Sequence, residues 1–243
     1  VVNDLEAAPV TARDRKSALS AHLKRAILTV ELRPGEDLDE TALCAAFELS
    51  RTPVREVFRE LGGQGYIEVR DHRGARVSDL SHTTLRDFFL TAPMIYGAIL
   101  RLAARNARPE QIAVLKRAQE AFRAALRKGS PVDRTLANTR FHDITGDMAG
   151  NVYLRPSFNR LLIDHARIGM TFFRPRSDAM TDSLARASAQ HDAIIAAIEA
   201  GDEVRAGALA EEHWNLSRGQ IEMFVMPEAL DLPLGATPER TTA

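Results

Sequence analysis

The sequence predicts a mainly α protein: an N-terminal winged helix-turn-helix followed by an all-helical antiparallel bundle. Three observations carry this. Apolar residues recur at three- and four-residue spacing through almost the whole chain. Only Tyr66-Ile67-Glu68-Val69, with Ala75-Arg76-Val77 shortly after it, alternates like paired strands. The stretch from Ser50 to Leu61 reads as a capped amphipathic helix, with Arg51, Arg55 and Arg59 on one side and Val54, Val57, Phe58 and Leu61 on the other.

The first helix runs from Arg13 to Val30, with Leu19, Leu23, Ile27 and Val30 as its apolar face. Leu32-Arg33-Pro34-Gly35-Glu36 ends it in a turn. Asp39-Glu40-Thr41 opens a short helix whose Leu43, Ala46 and Phe47 face inward. Ser50 caps the next helix through its hydroxyl, and Pro53 sits close enough to the start for its missing N–H to cost little. Gly62-Gly63-Gln64-Gly65 halts that helix. The hairpin that follows forms a wing. Arg70, Arg73 and Arg76 give it positive charge, and Gly74 at its tip allows close approach to a phosphate backbone or minor groove.

Two short helices around a tight turn, with an arginine ridge on the second and a basic wing beside it, have the shape that enters a DNA major groove. Arg51 and Arg55 are the candidates for base edges or adjacent phosphates. Arg59 lies further along, toward phosphate, and Thr52 suits a phosphate or a thymine methyl. An ordinary solvated helix face is the competing reading of the ridge. Formal net charge is -1, so bulk attraction to DNA is not evident and the case rests on local charge. Residues 1–80 are balanced or slightly acidic, which disfavours a non-specific polyanion binder.

Residues 11–78 form the DNA-binding domain in this reading, and residues 83–226 the helical domain. Within the latter, helices cover Thr84 to Ala107, Pro109 to Lys128, Val132 to Met148, the region 151–173, Leu184 to Ala200, and Glu203 to Phe224. Residues 227–243, rich in proline and small residues, are expected to be a flexible tail. Cys44 is the only cysteine, so an intrachain disulfide is impossible, and its neighbours mark it as a small buried hydrophobe. No apolar run approaches the roughly 20 residues of a membrane span. No basic segment leads into a hydrophobic one at the N-terminus. A cytoplasmic protein with no membrane partner is expected.

His142, His191 and His213 stand out among seven histidines. Asn138 precedes His142 by one helical turn. His191 and His213 lie about ten and eleven residues either side of a short turn, at similar heights in a helical hairpin. Converging imidazoles can hold zinc or another transition ion. Three unrelated histidines is the competing reading, and His22, His72, His82 and His165 show no comparable arrangement. A metal-dependent hydrolase would need a nearby acid. Asp143 and Asp192 neighbour the histidines but point roughly 100° away around their helices.

On these residues the chain resembles the GntR family of bacterial transcriptional regulators, in the FadR-like subgroup with a C-terminal FCD domain. The N-terminal likeness lies in Leu32-Arg33-Pro34-Gly35-Glu36, Leu49-Ser50-Arg51-Thr52-Pro53-Val54-Arg55-Glu56 and Arg73-Gly74-Ala75-Arg76-Val77. The C-terminal likeness lies in Phe141-His142, Gly150-Asn151, His191-Asp192-Ala193-Ile194 and His213. The resemblance implies a homodimer on a two-fold symmetric double-stranded operator, with Arg51, Arg55 and Arg59 on DNA and Gly74 at the wing tip. It also implies a small carboxylate-type effector and, in metal-binding members, a divalent metal such as zinc or nickel held by three histidines and a carboxylate. Here Asn138 occupies the carboxylate position, which implies weaker metal binding. Ala92 and Tyr96 occupy positions where the family usually has arginine and glutamate, and Pro93 between them kinks that helix or marks its start. The effector-facing set is then Tyr96, Asn138, His142, His191 and His213. A repressor governing use of a small organic acid is the leading reading, and a metal-responsive DNA-binding protein without an organic effector is the alternative.

Overall fold

The computed structural model describes residues 11–70, 74–175 and 178–225. Among them the chain forms nine helices and one three-stranded sheet. Helix α1 (Ala12–Leu28) begins in a capping box between Thr11 and Asp14 and buries Leu19, Leu23, Ala26 and Ile27. Val30 does not extend that face. It lies past the helix end with a φ of 59°, an uncommon conformation for a β-branched residue, where the chain turns toward the sheet.

Strand β1 (Asp37–Leu38) is too short for any alternation to reveal it. It pairs antiparallel with the second arm of the hairpin, and the sheet order is β1-β3-β2, with β2 at Ile67–Arg70 and β3 at Gly74–Val77. Helix α2 (Glu40–Ala46) is capped by Asp39, whose carboxylate accepts from the N–H groups of Thr41 and Ala42 at 2.9 Å each. Leu43, Cys44 and Phe47 are partly buried against the N-terminal core, but Ala46 is exposed.

Helix α3 (Arg51–Gln64) follows. Ser50 has the extended backbone of a cap (φ −73°, ψ 170°), yet its hydroxyl makes no capping bond. Gly62 and Gly63 do not halt the helix. It ends at Gly65, whose φ of +85° only glycine adopts cheaply. Val54, Val57, Phe58 and Leu61 enter a core shared with Leu19, Leu23, Ile27, Ile67 and Val77.

Helix α4 (His82–Asn106) starts two residues before the expected point, capped by the Ser81 hydroxyl. Pro93 lies inside it and marks no terminus. The remaining helices are α5 (Pro109–Lys128), α6 (Pro131–Ala149), α7 (Leu154–Phe172), α8 (Asp178–Glu199) and α9 (Glu203–Val225). Thus α8 starts before Leu184, and 151–173 carries one long helix. Gly150, at φ +61°, ends α6 as expected. By length and composition α4 reaches a membrane-span measure, with a mean hydropathy of 1.3 over its best window. It packs on α6, α7, α8 and α9, burying Phe88, Tyr96, Ile99 and Leu100 in the bundle core. The tail at 227–243 lies outside the described residues.

Candidate functional site

The arginine ridge is open. The side chains of Arg51 and Arg55 are 68% and 55% exposed, and Arg59 and Thr52 are exposed beside them. Glu40, at the start of α2, reaches Arg55 Nε at 3.0 Å and Arg51 Nε at 3.7 Å. Amphipathic burial of Val54, Val57, Phe58 and Leu61 turns the ridge outward. Gly74 adopts a φ of +76°, with open space where a Cβ would stand. Arg73 lies outside the described residues. The wing is less freely basic than its composition suggests, because Arg76 and Arg70 both face Asp37 of β1, at 2.8 and 3.7 Å. The Arg76 hydrogen bond, foremost, holds the Asp37 carboxyl below its ordinary range.

In the helical domain, α6, α8 and α9 bring His142, His191 and His213 together, with one nitrogen of each within 4.8 Å of the others. All three are buried. Two of the three have their outer nitrogens held. His191 Nδ1 lies 3.0 Å from Gln119 Oε1, and His213 Nδ1 lies 2.9 Å from Gln190 Oε1. Gln119 donates its amide N–H groups to the Ser188 carbonyl and the Asp192 carboxylate, so its oxygen is the atom that faces His191. His191 therefore carries its proton on Nδ1, and the Nε2 lone pair is free. His213 Nδ1 faces the Gln190 side-chain oxygen in the same way. Buried His191 Nε2 and His142 Nε2 have no hydrogen-bond partner among the described residues. The ring of Phe141 stacks on His191 at 3.8 Å and 8°, fixing its plane.

Burial, above all, keeps these imidazoles neutral. It lowers His142 and His191 well below the ordinary histidine value and His213 to about 3, with neighbouring histidines adding to the effect. Neutral imidazoles with bare lone pairs and outer hydrogen-bond partners form a donor set suited to a transition metal. Asn138, buried one turn before His142, lines a small cavity with His165 and His213. A second cavity is lined by Tyr96, His142, His165, His213 and Trp214, and each cavity is about 10 Å³. Neither is lined by arginine or lysine.

These features match known proteins along both halves of the chain. The pattern of the bacterial regulatory proteins of the gntR family matches residues 15–77, and the FCD domain pattern matches residues 94–216. The chain belongs to the GntR family and carries an FCD domain. That family is one of bacterial regulatory proteins, and the chain spans about 60% of the length of the first curated relative it matches.

Among GntR relatives, the chain is 32% identical over 168 residues to a Paenarthrobacter nicotinovorans protein named "Probable D-xylose utilization operon transcriptional repressor". The match spans 69% of this chain and 71% of that protein. It is 27% identical to the Escherichia coli repressor GlaR over 79% of this chain and 88% of GlaR. Against the Bacillus subtilis regulator YdhC it is 25% identical, over 55% of this chain and 60% of that one. The E. coli McbR/YncC structure shares the fold, with a TM-score of 0.71 at 17% identity, covering 87% of this chain and 98% of that one.

His165 also joins the site of this GntR-family chain. Its Nδ1 lies 2.6 Å from the Tyr96 hydroxyl, and its ring lies 5.2 Å from that of His142. Burial drives the Tyr96 hydroxyl well above its ordinary value and lowers His165 to about 4, so both are neutral. No spacing rule links α7 to the other three helices, so only packing reveals His165. Gln119 had a signal: it is a polar residue inside the apolar run Leu115, Ala118 and Phe122. Asp143 is engaged by Arg140 and Arg155, and Asp192 by Arg123 and by Gln119, the residue that also holds His191.

Proposed function

We propose that this chain is a ligand-responsive repressor that binds a two-fold symmetric operator as a homodimer. His142, His191 and His213 would hold a divalent transition metal, zinc or nickel, in the FCD domain, with Asn138 as a neutral fourth donor. The observation that carries this is the set of buried imidazoles with converging nitrogens, two of them held from behind by Gln119 and Gln190. A bound metal would supply a positive centre able to attract an effector carboxylate. Tyr96 and His165 would present hydroxyl and ring nitrogen to the rest of that effector. Arg51, Thr52, Arg55 and Arg59, with the wing at Arg73 and Gly74, would engage DNA. Dimerisation sets the spacing of the two recognition helices, about 34 Å for adjacent major grooves. A ligand that favours one spacing shifts operator affinity. The protein would act in the cytoplasm.

The reading is tested by elemental analysis of purified protein and by thermal shift with small carboxylates, each in metal-free and zinc-loaded protein. Stabilisation by an acid only when zinc is present supports it. A second reading, a metal sensor without an organic effector, is favoured by the two cavities of about 10 Å³, each room for about one water. Stabilisation by zinc with no response to any acid would select it.

A further inference from the structure

Helix α7 belongs to both halves of the molecule. Phe158, Leu161, Leu162 and Ile168 lie in the bundle core, and His165 meets Tyr96 at the edge of the histidine chamber. Ile163, 1% exposed, lies instead in the core of the winged domain. Arg160, Ile163, Asp164 and Arg167 recur at three- and four-residue spacing, so they share one side of the helix.

That side grips the winged domain at two points. The Arg167 side chain is fully buried and ion-paired with Asp164, which is 5% exposed. Arg167 Nη1 donates to the Ser78 carbonyl at 2.6 Å, and Nη2 reaches the Asp79 carbonyl at 3.4 Å. Ser78 and Asp79 directly follow β3 and begin the covalent link to α4. Asp164 also accepts from Arg160 Nη1 at 2.5 Å. The Arg160 chain lies over Gly65, the residue that ends the arginine-bearing helix, and a Cβ on Gly65 would stand 2.5 Å from Arg160 Cδ. The ends of α3 and of the wing are therefore both fastened to the helix that walls the histidine chamber. A buried ion pair stabilises little beyond what an apolar pair would, but its directional bonds specify geometry.

We propose that Asp164 and Arg167 are positioning residues that transmit occupancy of the histidine chamber to the winged domain through α7. The proposal rests on the chamber being a metal-binding effector site. His142 faces His165 of α7 at 5.2 Å between ring centres and α6 packs along α7, so a metal drawn to His142 would shift α7, and the Arg167 fork would carry Ser78 and Asp79 with it.

Hydrogen–deuterium exchange on the full chain, with and without zinc as the probe, tests this. In the wild type, zinc slows exchange around His142, His191 and His213 and also changes exchange in residues 51–79 by about fivefold, the low end of ordinary coupling between sites. In Arg167→Met, and in the milder Asp164→Asn should the first fail to fold, the local protection persists and the remote change disappears. Arg167→Lys, which keeps the charge but not the fork, restores little of it. A merely structural role predicts faster exchange in 51–79 with and without zinc alike, leaving the zinc-induced difference intact, and that result overturns the proposal. Absence of local protection in the wild type overturns the chamber reading instead, and the coupling with it.

Discussion

Glu40 Oε2 lies 3.0 Å from Arg55 Nε, so the helix that precedes the arginine ridge holds one of its guanidiniums from behind. The Glu40 side chain is only 17% exposed, whereas Arg55 remains 55% exposed. The carboxylate therefore orients the guanidinium while its forward face stays open. Glu40→Gln removes the orienting charge and adds net positive charge. Specific operator affinity should fall by up to about tenfold while binding to random duplex rises. Fluorescence anisotropy on both duplexes measures the ratio; an unchanged ratio would show that Glu40 does not orient Arg55.

Arg51→Ala and Arg55→Ala should each weaken operator binding by roughly 1–3 kcal/mol, about five- to 150-fold, while melting temperature and oligomeric state stay put. Both side chains project into solvent, so little packing is lost. Operator affinity matching wild type in both variants would remove the ridge from the interface.

His191→Ala and His213→Ala should each lower bound zinc measured by elemental analysis, because each removes an imidazole whose outer nitrogen is already held. Asn138→Asp should tighten zinc binding in calorimetric titration by adding an anionic donor. Full zinc content in both histidine variants would place any metal elsewhere, and no gain with aspartate would take position 138 out of the donor set.

Acidification should destabilise the fold across an unusual window. Unfolded histidines titrate near 6.5, while burial holds His165 at about 4 and His213 at about 3 in the folded chain. Between these values the unfolded chain binds more protons, so stability rises with pH and is lost as pH falls from about 6.5 toward 4 and below. Melting temperature should drop by several degrees between about pH 6.5 and 5, before most carboxylates titrate, at roughly 2–4 °C per kcal/mol. A flat profile there would contradict the neutral, buried cluster.

Gly65→Ala should destabilise the chain by about 1–2 kcal/mol or more, since the added carbon meets both a positive φ and the Arg160 side chain. Chemical denaturation measures the loss. Wild-type stability would mean that α3 ends without needing Arg160 so close.

The sequence by itself determined what repeats locally. Apolar periodicity marked the long helices, the four-residue arginine spacing marked an exposed ridge, and the counts either side of Gly201-Asp202 set His191 and His213 at one height. Gly150 ended α6 for the same local reason. Tertiary structure decided what depends on contacts between distant segments. The two-residue β1 has no period of its own and exists only by pairing with β3, and through Asp37 it takes up charge from Arg70 and Arg76. Gly62 and Gly63 stayed helical because the end of α3 packs against β2, with Gly62 beside Val69 and Ile67, and the helix ends only at Gly65. His165 joined the chamber, and Arg167 the linker, through the packing of α7, since which neighbour a helix face meets is set by the arrangement of whole helices and not by any spacing along one of them.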